Sequence, residues 1–370
     1  LVSPWLYQAY QPELQQNLLK YLTLENMQIV LIAEDLPTDR TDPWYGTRYS
    51  VERIPDDQLS LWREVVPHPA LTLPPPNPFI VENVSYQPGQ LNEAYPVLLK
   101  HSDRTRVWFK QDNIFNIPKG NLRIRLSTPD AYSSVKNAAM TKLFTLLLRE
   151  RLNEYSYPAV IAGLHYSMSN SVKGLELYLS GYSDNLEILF RKVIGEIRRY
   201  KIDENRFRIL KDQMAENRRN MKLSQAFHQV GYEMHHLLST PLWHTDEYLA
   251  VIDSITVQDL AEFVPVLFSR LHIDFLAHGN FSAGGILELT TFLEDSLQSS
   301  GPVELPLEKT IILPASGPYV YQFSVEDVNS AIQIYFQAGP ESIKQSVTLD
   351  MLQQMIEKPF YHQLRTVEQL

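Results

Sequence analysis

The sequence predicts an α+β protein whose central unit is an antiparallel sheet with helices packed against it. Three observations carry this. The stretch "KGLELYLSGY" alternates cleanly, with Leu175, Leu177 and Leu179 on one side, as a half-buried antiparallel strand requires. Helix start signals follow the early strands: Thr128-Pro129-Asp130, Ser183-Asp184 and Asp203-Glu204 place capping side chains and acids where the exposed N–H groups of a first turn favour them. Between about residues 80 and 300, strands come first, then a long helical run, then a returning strand and helix. That order layers helices on one sheet.

Taken along the chain, four blocks emerge. In residues 1–36, Leu14, Leu18, Leu19 and Leu22 mark a helix at 12–22, and "MQIVLIAED" reads as a buried strand. One helix and one strand cannot close a core, so this block reads as the end of a preceding domain. Residues 37–79 form a connecting stretch. Its aromatic start (Trp44, Tyr45, Tyr49) is expected to pack along a domain surface, and its six prolines from Pro67 to Pro78 impose an extended path. Residues 80–300 read as a complete domain with strands at "RVWFKQ", "NLRIRLST", "AGLHYSMS", "KGLELYLSGY" and "LHIDFLAHGN". Its helices are expected at 130–156, 183–200, 203–222, 223–239, 245–252, 256–269 and 282–299. Residues 301–370 supply strands at "KTIILP", "YVYQFSV" and "SAIQIYFQAG". A last helix follows, whose apolar stripe (Ile343, Val347, Met351, Met355, Phe360, Leu364) is spaced for burial. The terminal helix runs to Leu370 without a cap and the chain opens on Leu1, so the expectation is a middle segment of a longer protein.

Composition narrows the function classes. The 370 residues suggest two to three domains, and 44% apolar content suits a folded chain. A net charge of −10 argues against nucleic acid as a partner. No apolar run reaches the roughly 18 residues of a membrane helix, so a membrane is not expected as a partner. Without cysteine there are no disulfides and no thiolate metal sites, and this does not identify the compartment.

Histidine-rich stretches are the first places to look for chemistry. In "FHQVGYEMHH", His228 and His235 stand seven apart, roughly 10 Å along a helix, too far to share one ion without a partner between them. Glu233 is not spaced to complete a set with His235 and His236. "HTDEY" gives His244 and Glu247 at the spacing of H-x-x-E-H, but Tyr248 stands where the second histidine belongs. "HIDFLAH" places His272, Asp274 and His278 on one strand face, which a solvated sheet face explains more simply than a metal. There is no nucleophile elbow, phosphate loop or nucleotide fingerprint. The expectation is therefore no metal and no catalytic residue within this chain. Arg365, one turn after Tyr361 on the last helix, could hold a peptide carbonyl or carboxylate beside an aromatic ring, although most helix arginines are simply solvated.

"TDRTDPWYGTRYSVERIPD", "RVWFKQDNIFNIPKGNLRIRLSTPDAY", "LNEYSYPAVIAGLHYSMS", "SRLHIDFLAHGNFS" and "PFYHQLRTVEQL" closely resemble the middle of the pitrilysin/insulinase family of zinc metallopeptidases. The resemblance implies a protein of four homologous α+β domains of that family's fold, paired into two halves of a clamshell. Residues 1–36 would then end the second domain, 37–79 would be the interdomain linker, 80–300 the third domain and 301–370 the start of the fourth. Zinc would be a cofactor of the full-length parent, bound by an inverted motif in its N-terminal half. This segment would hold none, and its partners would be peptide substrates and that catalytic half. The resemblance also implies that Arg365 and, less directly, Tyr361 contact substrate.

Three functional readings follow. The first is a non-catalytic segment of a zinc metalloendopeptidase, forming chamber wall and positioning substrate. The second is a stand-alone peptide-binding or scaffold module derived from an inactive family member. The third, an autonomous metallohydrolase built on His228, His235 and His236, is the least supported.

Overall fold

A computed structural model describes residues 9, 11–73, 75–81, 84–86, 89, 93–301, 304–305 and 307–369. By internal contacts the chain divides into two units, Leu1–Pro76 and Asn77–Leu370.

The first unit holds helix α1 (Pro12–Leu19), the two-residue strands β1 (Arg40–Thr41) and β2 (Arg48–Tyr49), and helix α2 (Asp56–Arg63). β1 and β2 form a hairpin whose turn is tied by Asp42: its carboxylate accepts from the backbone N–H groups of Trp44 and Tyr45. Two expectations fail here. "MQIVLIAED" forms no strand, because a strand exists only where a neighbour completes its ladder, and Ile32 lies 91% exposed. Trp44 and Tyr45 do not pack on a surface; both project outward from the turn.

The second unit is built on six strands: β3 (Val97–His101), β4 (Thr105–Gln111), β5 (Lys119–Ser127), β6 (His165–Ser171), β7 (Gly174–Tyr182) and, beyond β8 (Ser239–Thr240), β9 (His272–Gly279). Their spatial order is β3-β4-β9-β5-β7-β6. All pairs are antiparallel except β4 with β9. The expected sheet class holds, with one parallel pair inside it. β9 returns from a helical excursion over residues 183–271, long enough to enter the sheet in either direction. β3 was not expected; "VLLKH" is too short to show a period.

The helices are α3 (Val135–Ile161), α4 (Ser183–Arg199), α5 (Glu204–Met221), α6 (Ala226–Leu238), α7 (Thr245–Ile252), α8 (Val257–Ser269), α9 (Ala283–Leu297) and, after β10 (Lys309–Thr310), α10 (Ile343–Tyr361). α3, α4 and α9 pack on one face of the sheet, and α5, α7 and α8 pack on α3. The Thr128 hydroxyl does accept from an N–H, of Asp130, but it caps a single turn at Pro129–Ala131. Ser134 caps α3 itself, which moves that helix a turn and more past the expected 130–156. α4 shows why such helices dock: Leu186, Leu189, Phe190, Val193, Ile194 and Ile197 repeat at three and one and are all buried. Each is worth about 1.5–3 kcal/mol of apolar burial. Phe190 stacks on Phe275 of β9 with ring centres 5.9 Å apart, joining this layer to the sheet.

Of the strands expected in residues 301–370, only Lys309–Thr310 pairs, antiparallel to Ser239–Thr240. "YVYQFSV" and "SAIQIYFQAG" have strand composition but no ladder partner among the described residues, and Phe336 is exposed. α10 forms as expected from its Ser342 cap, then widens into a π-helical stretch at His362–Glu368. Its apolar stripe is not buried: Ile343, Met351, Met355 and Phe360 face outward.

Candidate functional site

Tyr361 closes α10 and Arg365 lies in the π-helical stretch that follows. Pro359 lies inside α10 two residues before Tyr361, the widened turn begins at His362, and both side chains are exposed. The two residues read from the sequence as substrate contacts are thus held on one continuous helical element at the surface.

The histidines of α6 and α7 come together in a way their spacing did not show. His244 caps α7: its Nδ1 accepts from the Asp246 N–H at 3.2 Å, and its backbone N–H donates to Glu247. Its Nε2 lies 2.9 Å from Glu233 Oε1. With Nδ1 accepting, the proton sits on Nε2 and is donated to Glu233. His236 stands edge-on to His244, ring centres 5.0 Å apart, with its Nδ1 buried and unpartnered. Tyr232 accepts at its hydroxyl from the Thr245 N–H at 2.8 Å. Because both His244 nitrogens serve the helix junction, the residues present do not form a zinc cradle. No three ligating side chains converge among the described residues. The H-x-x-E spacing at His244 and Glu247 is a capping box.

Around this junction Tyr248 lies under the Arg218 guanidinium, 3.9 Å from its ring centre, with its hydroxyl 3.5 Å from that of Tyr132. Burial first, then the Tyr132 hydroxyl, pushes the Tyr248 phenol well above its ordinary value. A buried tyrosine held neutral is a structural peg.

On β9, His272 is buried, not solvated as expected. Its Nδ1 lies 3.2 Å from the Asp103 carbonyl, and its Nε2 is 3.6 Å from Asp274, whose carboxylate is bound by Arg106 at 2.8 Å. Asp274 is thereby engaged by a guanidinium and completes no ligand set with His272 and His278.

An open cleft of about 570 Å³, unforeseen in the sequence, lies where α3, α4 and the start of α5 meet. Glu150, Arg151, Glu196, Arg199, Tyr200 and Arg206 line it. Arg206 pairs with Glu150, and Arg151 with Glu196 at 3.5 Å. Burial, then nearby Asp203, pushes the Tyr200 hydroxyl up to about 12. No sequence signal could have found this cleft, since three helices contribute to it and the charges pair across them.

A six-stranded mixed sheet with its helical layers on one face is the fold of pitrilysin. The crystal structure of pitrilysin matches with a TM-score of 0.67 at 22% identity, covering 80% of this chain and 31% of that one. Fold and surroundings together define a mixed α/β domain in which His244 serves a helix junction.

Residues 1–251 match the family model described as the middle or third domain of peptidase M16, and residues 254–370 match the peptidase M16 inactive domain. The chain belongs to the peptidase M16 family, as the quoted segments implied. It is similar to human insulin-degrading enzyme, 33% identical over 380 residues, covering 100% of this chain and 37% of that protein. It is 32% identical over 383 residues to the peroxisomal insulin-degrading enzyme-like 1 of Arabidopsis thaliana, covering 100% of this chain and 40% of the relative. The chain thus spans well under half the length of these relatives.

Proposed function

We propose that this chain is a non-catalytic middle segment of a zinc-dependent metalloendopeptidase that degrades peptides within a clamshell chamber. The observation that carries the reading is the end-to-end match to the middle and inactive domains of peptidase M16. In this reading residues 1–36 finish a second domain, 37–79 link the two halves, 80–300 form the third domain and 301–370 begin the fourth. The segment supplies chamber wall and aligns substrate. Zinc and the water it activates belong to the N-terminal half of the parent. Arg365 and Tyr361, exposed on the terminal helical element, contact the substrate backbone once the complete helix and the catalytic half are assembled.

Exposed apolar surface on the terminal segment supports a larger assembly over a self-sufficient module. Ile332, Phe336 and Ile343 are each more than 85% exposed. A stand-alone peptide-binding module remains the second reading.

The test is reconstitution. The chain is co-expressed with the N-terminal half and the remaining C-terminal part of its parent, and cleavage of a quenched peptide is followed with and without chelator. Chelator-sensitive cleavage that requires this chain supports the reading. Assembly without cleavage, while peptide still binds this chain, favours the module.

A further inference from the structure

The face of the six-stranded sheet turned away from the helices carries a pattern that no part of the fold requires. Cross-strand register arranges it in rows. In one row Arg106, Asp274, Arg125 and Glu176 stand side by side, alternating in charge. They pair off, Arg106 with Asp274 at 2.8 Å and Arg125 with Glu176 at 3.1 Å.

Two residues along, the next row runs Leu98, Trp108, Leu276, Arg123 and Tyr178. Leu98 is 43%, Trp108 39% and Leu276 37% exposed, a band of apolar side chains left to solvent. Arg123 lies over the Tyr178 ring at 5.7 Å. A third row holds Lys110, His278 and Asn121, and Lys119 follows at the end of β5, its ammonium over Tyr182.

Along these strands the outward-facing carboxylates are Glu176 and Asp274, and both are taken by the first row. Asp112, just past β4, is buried and bound by the backbone N–H groups of Ile114, Phe115 and Ile117. Among the described residues Lys119 and Arg123 are left without a carboxylate from this face, and the Lys110 ammonium donates only to the neutral Gln111 carbonyl at 3.0 Å and Asn113 Oδ1 at 2.9 Å, beside an exposed apolar band, in a chain of net charge −10. Local positive charge against an acidic background attracts anionic partners, and the apolar band supplies contact area.

We propose that this outer sheet face, centred on Trp108, Leu276 and Arg123, binds an acidic segment of a peptide bearing apolar side chains. Rows on a sheet repeat every two residues, the period at which an extended peptide presents side chains to one side. A segment whose every second residue is alternately acidic and aliphatic therefore places its carboxylates near Lys110, Lys119 and Arg123 and its aliphatic groups on Trp108 and Leu276. The choice of a peptide among polyanions rests on the peptidase reading; the charge and shape of the face do not.

The test uses the whole 370-residue chain. Fluorescence anisotropy compares a labelled peptide of repeating Glu-Ser-Leu-Ser, its Lys-for-Glu counterpart and an oligo-dT of equal length. The acidic peptide is expected to bind more tightly than the basic one. Its affinity should fall about tenfold or more on the double change Arg123→Glu with Lys110→Glu, weaken with added salt, and be unaffected by Arg208→Glu with Arg219→Glu on α5. If the reversed-charge chain loses its native circular dichroism, Arg123→Gln with Lys110→Gln replaces it, with a loss of several-fold expected.

Equal binding of the two peptides, no binding, or an equal loss in the α5 control overturns the proposal. So does oligo-dT binding that outcompetes the peptide and is lost with the same two residues. The two readings fail separately. Charge-dependent binding without reconstituted cleavage overturns only the peptidase assignment, and reconstituted cleavage without charge-dependent binding overturns only the face.

Discussion

Glu294 on α9 offers a quantitative check on how the helical layer is tied to the sheet. Its Oε2 accepts from the Lys100 ammonium of β3 at 2.6 Å, and its Oε1 from the Thr105 hydroxyl of β4 at 2.6 Å. Changing Glu294→Ala leaves the Thr105 hydroxyl, on a fully buried residue, without its acceptor, at about 1–2 kcal/mol. Lys100 keeps a third of its side chain in water, so the loss of its ion pair is discounted to about 1 kcal/mol. The expected cost is about 2–3 kcal/mol.

Burial pushes the Glu294 carboxyl up, but the hydrogen bonds from Lys100 and Thr105 outweigh it and hold the group below its usual value. A carboxylate with a depressed folded-state value stabilises fully above its unfolded value and loses that contribution as pH falls through the folded one. The gap between wild type and Glu294→Gln should therefore be constant near neutrality and close below about pH 4. Urea unfolding gives the global cost, and hydrogen exchange of β4 and α9 amides gives the local one. Thr105→Val in both backgrounds should couple to Glu294→Ala by about 1 kcal/mol. A cost below about 0.5 kcal/mol, or no coupling, would refute the claim that this carboxylate clamps α9 to the sheet.

Three further outcomes are expected. Gly279 has φ +125°, and an added Cβ would lie 2.4 Å from the Lys119 carbonyl oxygen and 2.5 Å from Gly120 Cα, so Gly279→Ala should cost about 3 kcal/mol or more and appear as lost soluble yield or a lowered Tm. The Lys136 ammonium, then the Thr256 hydroxyl, hold the Asp259 carboxyl far below its usual range; Asp259→Asn should destabilise by about 1 kcal/mol at pH 7, with the difference fading below about pH 4, as pH-dependent unfolding would show. Arg365→Ala, at an exposed position, should change this chain's stability by less than about 0.5 kcal/mol yet lower kcat/KM in the reconstituted peptidase, and normal cleavage by that variant would remove Arg365 from the proposed substrate contacts.

What the sequence determined by itself is what local physics writes into short stretches. The alternation of Leu175, Leu177 and Leu179 specified β7, and Ser183-Asp184 marked the first turn of α4, although Tyr182 takes the cap position and the Ser183 hydroxyl bonds Pro118 and Asn280 instead. The Asp203 carboxylate accepts from the Arg206 N–H as its position announced, and His244 and Glu247 proved to be a cap. Quoted segments of unusual composition were enough to resemble a family that the comparisons then showed. Segments whose structure depends on a distant neighbour behaved differently. "MQIVLIAED" and "SAIQIYFQAG" have strand composition, but a ladder needs a second strand, and composition cannot supply one. α6 lacks a side-chain cap of its own; Asp327, about a hundred residues on, accepts from its Ala226 N–H at 2.7 Å. The parallel entry of β9 beside β4 set which side chains share a row, and so placed Trp108 next to Leu276 and left Arg123 without a carboxylate. Periodicity along the chain fixes which face a residue takes, but only the register between strands far apart in sequence decides which residues meet there.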